Sequence, residues 1–359
     1  MMYKKLSRHL VFIHLIFAIS IALSCNRGTN PNRTTDIYID FSDIETVDLS
    51  QAQKVHLEFT DHSIIRSVDN MVLTEDSNYL ILSGQDLFVF DKNGTFKNRI
   101  GSKGQGPMEF KHLASFFLKN MEVVIYDHMA RKLISYDTRG NFLHSTSIKN
   151  RYNVETTPNY IYPISNKRFL ASNFYGSDEE QRPSYSILDE DYRVIATSEG
   201  RYLKSGLTVM NKFFANEEFT LIWEVLNDTI LAVDNNNTFY AKYRVDFNKK
   251  AIPESVKKWD IYDAIAFCNK PENAQKYATL IRSVSEDKEY VRFIFAYNHN
   301  TFYTKYDKTK ARAKTYKLVD DSGTIGPIIY LHNKHLIVPI NNSDDSHNPT
   351  LAIVDETDL

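Results

Sequence analysis

Phe90-Asp91-Lys92-Asn93-Gly94-Thr95-Phe96 and Tyr136-Asp137-Thr138-Arg139-Gly140-Asn141-Phe142 carry the same turn between the same kinds of strand. In both, an aromatic residue precedes an Asp, a Gly follows three positions later, and a Phe restarts the chain. Asp can bond the amides of its own turn, and Gly enters left-handed backbone at little cost, so the stretch reads as a hairpin. Asp234-Asn235-Asn236-Asn237-Thr238-Phe239 repeats it with Asn at the Gly position. Working outward, an apolar residue followed by Asp and a turn recurs at Leu188-Asp189, Val233-Asp234, Tyr306-Asp307 and Val354-Asp355. The six Asp residues stand 46, 52, 45, 73 and 48 residues apart. Four of these intervals fit the roughly 40–50 residues of one four-stranded propeller blade. The spacing therefore predicts an all-β chain, a six-bladed β-propeller, with each Asp a turn-former.

Period-two alternation supplies the strands. Tyr79–Ser83, Asp86–Asp91 and Thr95–Ile100 form the first unit, with an inner strand near Ile64–Thr74. Met121–Asp127, Lys132–Asp137 and Phe142–Ile148 repeat it, as do Glu218–Glu224, Thr229–Asp234 and Thr238–Phe247. The long interval predicts a helical insertion over about 253–282, where alternation fails and Pro271-Glu272 suits a helix start. Two short helices are expected there, with blade five resuming at Glu289–Tyr297. Asp355 stands four residues before Leu359, too near the end for blade six to own an outer strand. Closure by an N-terminal strand is expected, with Ile37–Phe41 beside Thr350–Asp355 as the pair; the alternative is a truncated chain.

The composition is that of an ordinary globular chain, with 359 residues and 42% hydrophobic side chains. Twenty-two Tyr and 22 Phe against two Trp favour strands. Removing the first 24 residues removes Lys4, Lys5 and Arg8 and no acid, so 43 basic against 45 acidic residues become 40 against 45. That balance offers no basic excess for phosphates, so no nucleic-acid partner is expected. Lys4, Lys5 and Arg8 precede the apolar run Leu10–Leu23, which is too short to span a bilayer and reads as the core of a signal peptide. Ala22-Leu23-Ser24-Cys25 resembles a bacterial lipobox, with Ala22 where that pattern prefers Leu. The resemblance implies lipid on Cys25 and a signal over 1–24; the polar stretch 25–35 reads as a tether, and the repeats place the propeller over 36–359. The expected place is the cell envelope, anchored in the outer membrane and facing the periplasm, because Asn26–Asn30 contains no acid. The expected non-covalent partner is an unidentified protein, peptide or glycan.

The first turn is followed by Ile100-Gly101-Ser102-Lys103-Gly104-Gln105-Gly106-Pro107-Met108-Glu109-Phe110. This resembles the G-x-x-G-Q-G-P-x-E-[FY] linker of six-bladed β-propeller lipoproteins of Bacteroidota, relatives of NHL-repeat propellers. Val55-His56-Leu57-Glu58 and Asn227-Asp228-Thr229-Ile230 are similar to blade segments of that family. The resemblance implies fold and lipoprotein status and brings no catalytic residue. As chemistry, the segment lacks the Gly-Lys-Ser/Thr ending of a phosphate loop, and Pro107 has no N–H to offer. It reads as a tight connection between blades.

Reactive motifs are sparse. Neither G-x-S-x-G, H-E-x-x-H, C-x-x-C nor an EF-hand loop occurs. Cys268 has no second cysteine once Cys25 is acylated, and reads as a buried small hydrophobe. His332 and His335 project to opposite faces of an extended chain, so a shared metal needs a bend between them. No cofactor and no metal ligand are expected, with Asp344-Asp345 in Asn341–Asn348 a weak calcium candidate. Asp178-Glu179-Glu180 reads as a solvated loop. Asp228-Thr229-Ile230 fits a short acceptor pattern that would place an O-glycan on Thr229. Two functions stay open. One is a tethered binding or scaffold propeller; the other is a lactonase- or lyase-like enzyme with a metal in its channel.

Overall fold

The structure, a computed structural model, describes residues 34–149, 158–164, 167–173, 184–198, 213–224, 226–259, 261–326, 329–332, 334–342 and 347–359. Six antiparallel sheets form the six blades of the propeller. From the inner strand outward, blade one is Asn70–Leu73, Tyr79–Ser83, Asp86–Phe90 and Phe96–Arg99. Blade two is Leu113–Lys119, Glu122–Asp127, Lys132–Tyr136 and Phe142–Ser147. Blade three runs Pro158–Ile164, Arg168–Asn173, Tyr185–Leu188, Val194–Thr197, and blade four Phe213–Ala215, Phe219–Ile222, Thr229–Asp234, Phe239–Asp246. Blade five is Thr279–Glu286, Tyr290–Tyr297, Asn300–Asp307 and Arg312–Val319. In blade six, Gly323–Ile325 and Tyr330–His332 both pair with His335–Asn342, followed by Thr350–Asp355.

The turn chemistry read from the sequence is present in every blade. Asp91 Oδ1 accepts the N–H groups of Asn93 and Thr95 at 2.9 and 3.0 Å. Asp137, Asp189, Asp234 and Asp307 each cap their own turns through two amides in the same way. Asp355 takes the Thr357 N–H and opens the last turn of the chain. The left-handed position three residues after Asp is Gly94, Gly140, Tyr192 or Asn237 in the first four blades.

Packing follows from the alternation. On blade one, Leu80, Leu82, Leu87 and Val89 enter the interface with blade two, among Leu113, Phe116, Ile125 and Tyr136. The intervening Tyr79, Ile81, Phe88 and Phe90 enter the interface with blade six, among Ile337 and Leu351. The apolar core is therefore divided among the blade interfaces, each shared by two sheets, and each sheet feeds two neighbours.

The closing strand differs from the one expected. Gln53–His56 pairs antiparallel with Thr350–Asp355 and supplies the outer strand of blade six. Thr35–Tyr38 instead lies parallel on the outer strand of blade four, and Ile44–Asp48 lies parallel on that of blade five. The N-terminal segment is thus a strap across the edges of three consecutive blades. Ile37–Phe41 reads as the one strand-like segment left over, yet parallel addition at a sheet edge needs no hairpin and uses such a segment equally well. The distance along the chain carried the correct answer. Residues 57–69 separate Gln53–His56 from the inner strand of blade one, and residues 100–112, the same length, separate Phe96–Arg99 from that of blade two.

The long interval contains three helices, Glu254–Lys257, Ile261–Asn269 and Pro271–Ala274. Blade five then starts at Thr279, earlier than alternation indicated. Its inner strand is bulged on both sides of Arg282 and holds Leu280 and Ser283 at φ of 61° and 50°, which breaks the two-residue period. The helices enclose a small core of their own, in which Cys268 packs with Leu226, Ile252, Val256 and Ala264.

Candidate functional site

Strand polarity puts the Asp turns at one face of the ring. The blade-to-blade crossovers and the loops from second to third strand lie at the other. The glycine-rich segment is one of those crossovers, and its polar groups are spent internally. Glu109 folds back to accept the Gly106 N–H at 2.8 Å, and a Cβ on Gly104 would collide with that carboxylate at 1.9 Å. Lys132 Nζ donates to the Glu109 carbonyl at 2.7 Å, and the Tyr136 hydroxyl donates to the Met108 carbonyl at 2.5 Å. Burial, with help from the Glu109 charge, pushes the Tyr136 hydroxyl up to about 12. This is a connection, as its sequence indicated, and it holds no open anion cradle.

The open site lies where the strap passes the helical insertion. A cleft of about 760 Å³ is bounded by Tyr38, Asp40, Phe41 and Ser42 of the strap and by Asn248, Lys249 and Lys250 leaving blade four. Glu272, Gln275 and Lys276 of the insertion and Tyr297 of blade five complete it. The wall is aromatic: Phe41 meets Tyr297 edge to face at 5.1 Å and Phe295 at 6.1 Å. Lys250 Nζ sits 4.3 Å from the Tyr297 ring centroid and 4.9 Å from that of Phe41, and donates to the Tyr297 hydroxyl. Asp40 accepts the Ser42 hydroxyl at 2.6 Å and its N–H at 2.9 Å, which holds its carboxyl below the usual range. Tyr38 is 53% exposed, so its ring is presented to solvent.

Three ammonium groups, two carboxylates, two amide side chains and three hydroxyls therefore line one aromatic cleft. A row of rings continues from it along the insertion. Lys276 lies over Tyr277, Tyr277 touches Phe267 at 5.8 Å, and Phe267 meets the half-exposed Trp259 at 5.5 Å. Beside Trp259 is a second, shallower depression of about 600 Å³ that includes Asp263, Phe267 and Lys270.

Residues 39–351 match a family profile described as a domain of unknown function, DUF4934. The chain belongs to the DUF4934 family. It is similar in fold to an exported protein from Bacteroides fragilis, at 18% identity and a TM-score of 0.65, over 89% of this chain and 99% of that one. A DUF4221-family protein from Bacteroides vulgatus matches at 10% identity and a TM-score of 0.58, over 84% and 96% of the two chains. No curated protein matches.

The other expected positions of this DUF4934 chain fall as follows. Cys25, Asp178-Glu179-Glu180 and Asp344-Asp345 lie outside the described residues. Asn348, at the edge of the expected calcium loop, is buried and serves as a staple. Its amide donates to the Glu58 and Ser63 carbonyls at 2.7 and 2.6 Å and accepts the Ile65 N–H at 2.8 Å. Thr229 begins a strand of blade four and is half-buried; its neighbour Asp228 is bound by Lys257 at 2.8 Å. Cys268 is buried, and burial pushes its thiol up to about 11. The bend that His332 and His335 needed does exist, because they face each other across a hairpin. His335 points toward Asp355, 4.0 Å away. Among the described residues no group of three or more metal-ligating side chains occurs, and no helix is long and apolar enough to cross a membrane.

The cleft residues went unnoticed in the sequence because they come from four separate segments. The one local signal was the expected insertion beside the blade-five strand that ends at Tyr297.

Proposed function

We propose that this protein is a glycan-binding β-propeller, held in the cell envelope by lipid on Cys25 and facing the periplasm, with the cleft between strap and insertion as its binding site. The observation that carries this reading is the lining of the cleft. Sugar hydroxyls need acceptors and donors in alternation beside an apolar ring face, and Asp40, Glu272, Asn248, Gln275 and the lysines supply both around Tyr38, Phe41 and Tyr297. An acidic peptide or a polyanion would instead call for a lining of one sign, and three lysines against two carboxylates do not provide it. The aromatic row toward Trp259 gives a longer chain a continuing path.

Glycan-array screening followed by calorimetry on the full chain tests the reading. Tyr38→Ala and Lys276→Ala change exposed side chains, so the fold survives, and each should weaken an oligosaccharide hit at least tenfold. A hit unaffected by both, or an array with none, rejects glycan binding at the cleft. Anchoring rests on the basic n-region, the apolar run and Ser24-Cys25. A fatty-acid analogue should label the wild type and leave Cys25→Ala unlabelled. An O-glycan on Thr229 would appear as a hexose-scale mass addition, absent from Thr229→Ala.

A further inference from the structure

Blade two carries a second constellation on the crossover face, away from the cleft. Its first two strands pair with Leu113 opposite Asp127, and the ladder extends one step further, where the His128 N–H meets the His112 carbonyl at 3.3 Å. His112 and His128 are therefore opposite each other on one face of the sheet, where directly paired residues have Cβ atoms about 4.5–5.5 Å apart. Their ring centroids stand 6.2 Å apart with planes at 69°. His112 is exposed and His128 half-buried, at the point where the inner strand starts beside the central channel.

Two further features hold the pair in place. Asp127 is fully buried, and its carboxylate accepts the N–H groups of Lys111, His112 and Ala130 at 2.8, 3.3 and 3.0 Å, which fixes the backbone on both sides. His128 Nδ1 lies 3.0 Å from the Pro158 carbonyl of blade three. A carbonyl oxygen only accepts, so Nδ1 bears the proton and Nε2 of the neutral ring keeps its lone pair. An outer carbonyl that orients the far nitrogen is the support a metal-bound imidazole commonly has.

We propose that His112 and His128 form a two-histidine site for a divalent transition-metal ion of the zinc, nickel or copper class. Nitrogen–metal bonds of about 2.0–2.1 Å place two imidazole centroids on one ion about 5.2 Å apart at a tetrahedral angle and about 6.4 Å apart in a trans arrangement, so the observed 6.2 Å suits a wide angle, and a tetrahedral ion draws the exposed His112 ring inward by about 1 Å. Two protein ligands leave the remaining positions to water or to an oxygen of a bound molecule, so the site is open on its solvent side. Imidazole ligands with no carboxylate or carbonyl in the set select against calcium and magnesium.

The test is calorimetry of tag-free full chain with zinc or nickel chloride, and Cu(II) electron paramagnetic resonance. One ion per chain should bind, with two nitrogens coupled to copper. His112→Asn and His128→Asn should each weaken binding at least tenfold, while the His332→Asn/His335→Asn double variant, which removes the other cross-strand pair, binds as the wild type does. Circular dichroism without metal confirms that the variants are folded; if His128→Asn proves unstable, the exposed His112→Asn decides alone. Metal binding that persists in His112→Asn, or that is lost only in the His332/His335 variant, overturns the assignment, as does the absence of binding or binding of calcium in preference.

Discussion

A methyl group on Gly94 would stand 2.1 Å from the carbonyl oxygen of His56, in the strand that closes the ring, and Gly94 has φ of 87°. Gly84 also has a positive φ, 64°, but nothing lies within 4 Å of its missing Cβ. The two positions separate backbone strain from steric collision. Gly84→Ala should cost about 1 kcal/mol, the ordinary penalty for left-handed backbone. Gly94→Ala adds a clash with a backbone that cannot retreat without opening the closure, and should cost roughly 3 kcal/mol or more in a denaturant titration. Equal midpoints for the two variants would refute this. Cys268 gives a residue-scale prediction in pH. Its thiol rises from an ordinary 9.0 to about 11 through burial, so the folded protein favours the neutral form. The corresponding stability is fully present below about pH 9 and fades as pH rises through about 11, where the unfolded thiolate gains. At pH 8 a thiol reagent should label Cys268 only on unfolding, and rapid labelling of native protein would contradict its burial.

At the scale of elements the strap is the feature to test, because two kinds of contact hold it. Arg244–Asp36, Arg312–Asp43 and Lys314–Glu45 pair across its edge at 2.7, 2.9 and 3.0 Å, all solvent-exposed. Ile37 and Ile39 are fully buried between blades four and five. Exposed pairs in water are weak and screened, whereas truncating a buried Ile removes transfer energy and leaves a cavity, about 2–4 kcal/mol. The double variant Asp36→Asn/Asp43→Asn should therefore leave thermal unfolding unchanged, and Ile37→Ala should lower the midpoint clearly. Removal of residues 26–34 should be neutral, while removal of 26–56 takes away the outer strand of blade six and should abolish folding. A stable 57–359 fragment would show that the ring needs no strap.

Across the whole molecule, the chain ends are the joints. The C-terminal turn docks on blade five through Glu356, 3% exposed, which pairs with Arg292 and accepts the Tyr303 hydroxyl at 2.6 Å. Burial works against the Arg292 charge, but the hydrogen bonds it donates to Glu356 and Asp287 outweigh it and hold the guanidinium above its ordinary value. Removing one partner of a buried pair costs more than the pair contributes, because a charge is left behind. Glu356→Gln should destabilise by about 3 kcal/mol, softened by the remaining 2.7 Å contact of Arg292 with Asp287. Because each core between blades is shared by two of them, the loss should appear as one cooperative transition, coincident by fluorescence and circular dichroism. Two separated transitions would mean that the joint opens before the ring.

The six Asp turns, the alternating strands and the need for a borrowed outer strand were all legible in the sequence, for a common reason. The bonds that make an Asp turn connect residues two to four apart, as from Asp137 to Arg139 and Asn141, so the side chains that decide it are adjacent in the chain. Which segment is borrowed was not legible from alternation, because Ile37–Phe41 alternates as a strand too; only the matching length of residues 57–69 and 100–112 pointed to Gln53–His56. The inner strand Thr279–Glu286 was hidden by its bulges, and its extended form is imposed by Tyr290–Tyr297 beside it. His112 and His128 are ordinary residues sixteen positions apart until strand register sets them face to face, and Phe41 meets Tyr297 only because the strap crosses blade five. Local hydrogen bonding is written in neighbouring residues, whereas a site assembled across a closed ring exists only once the ring has closed.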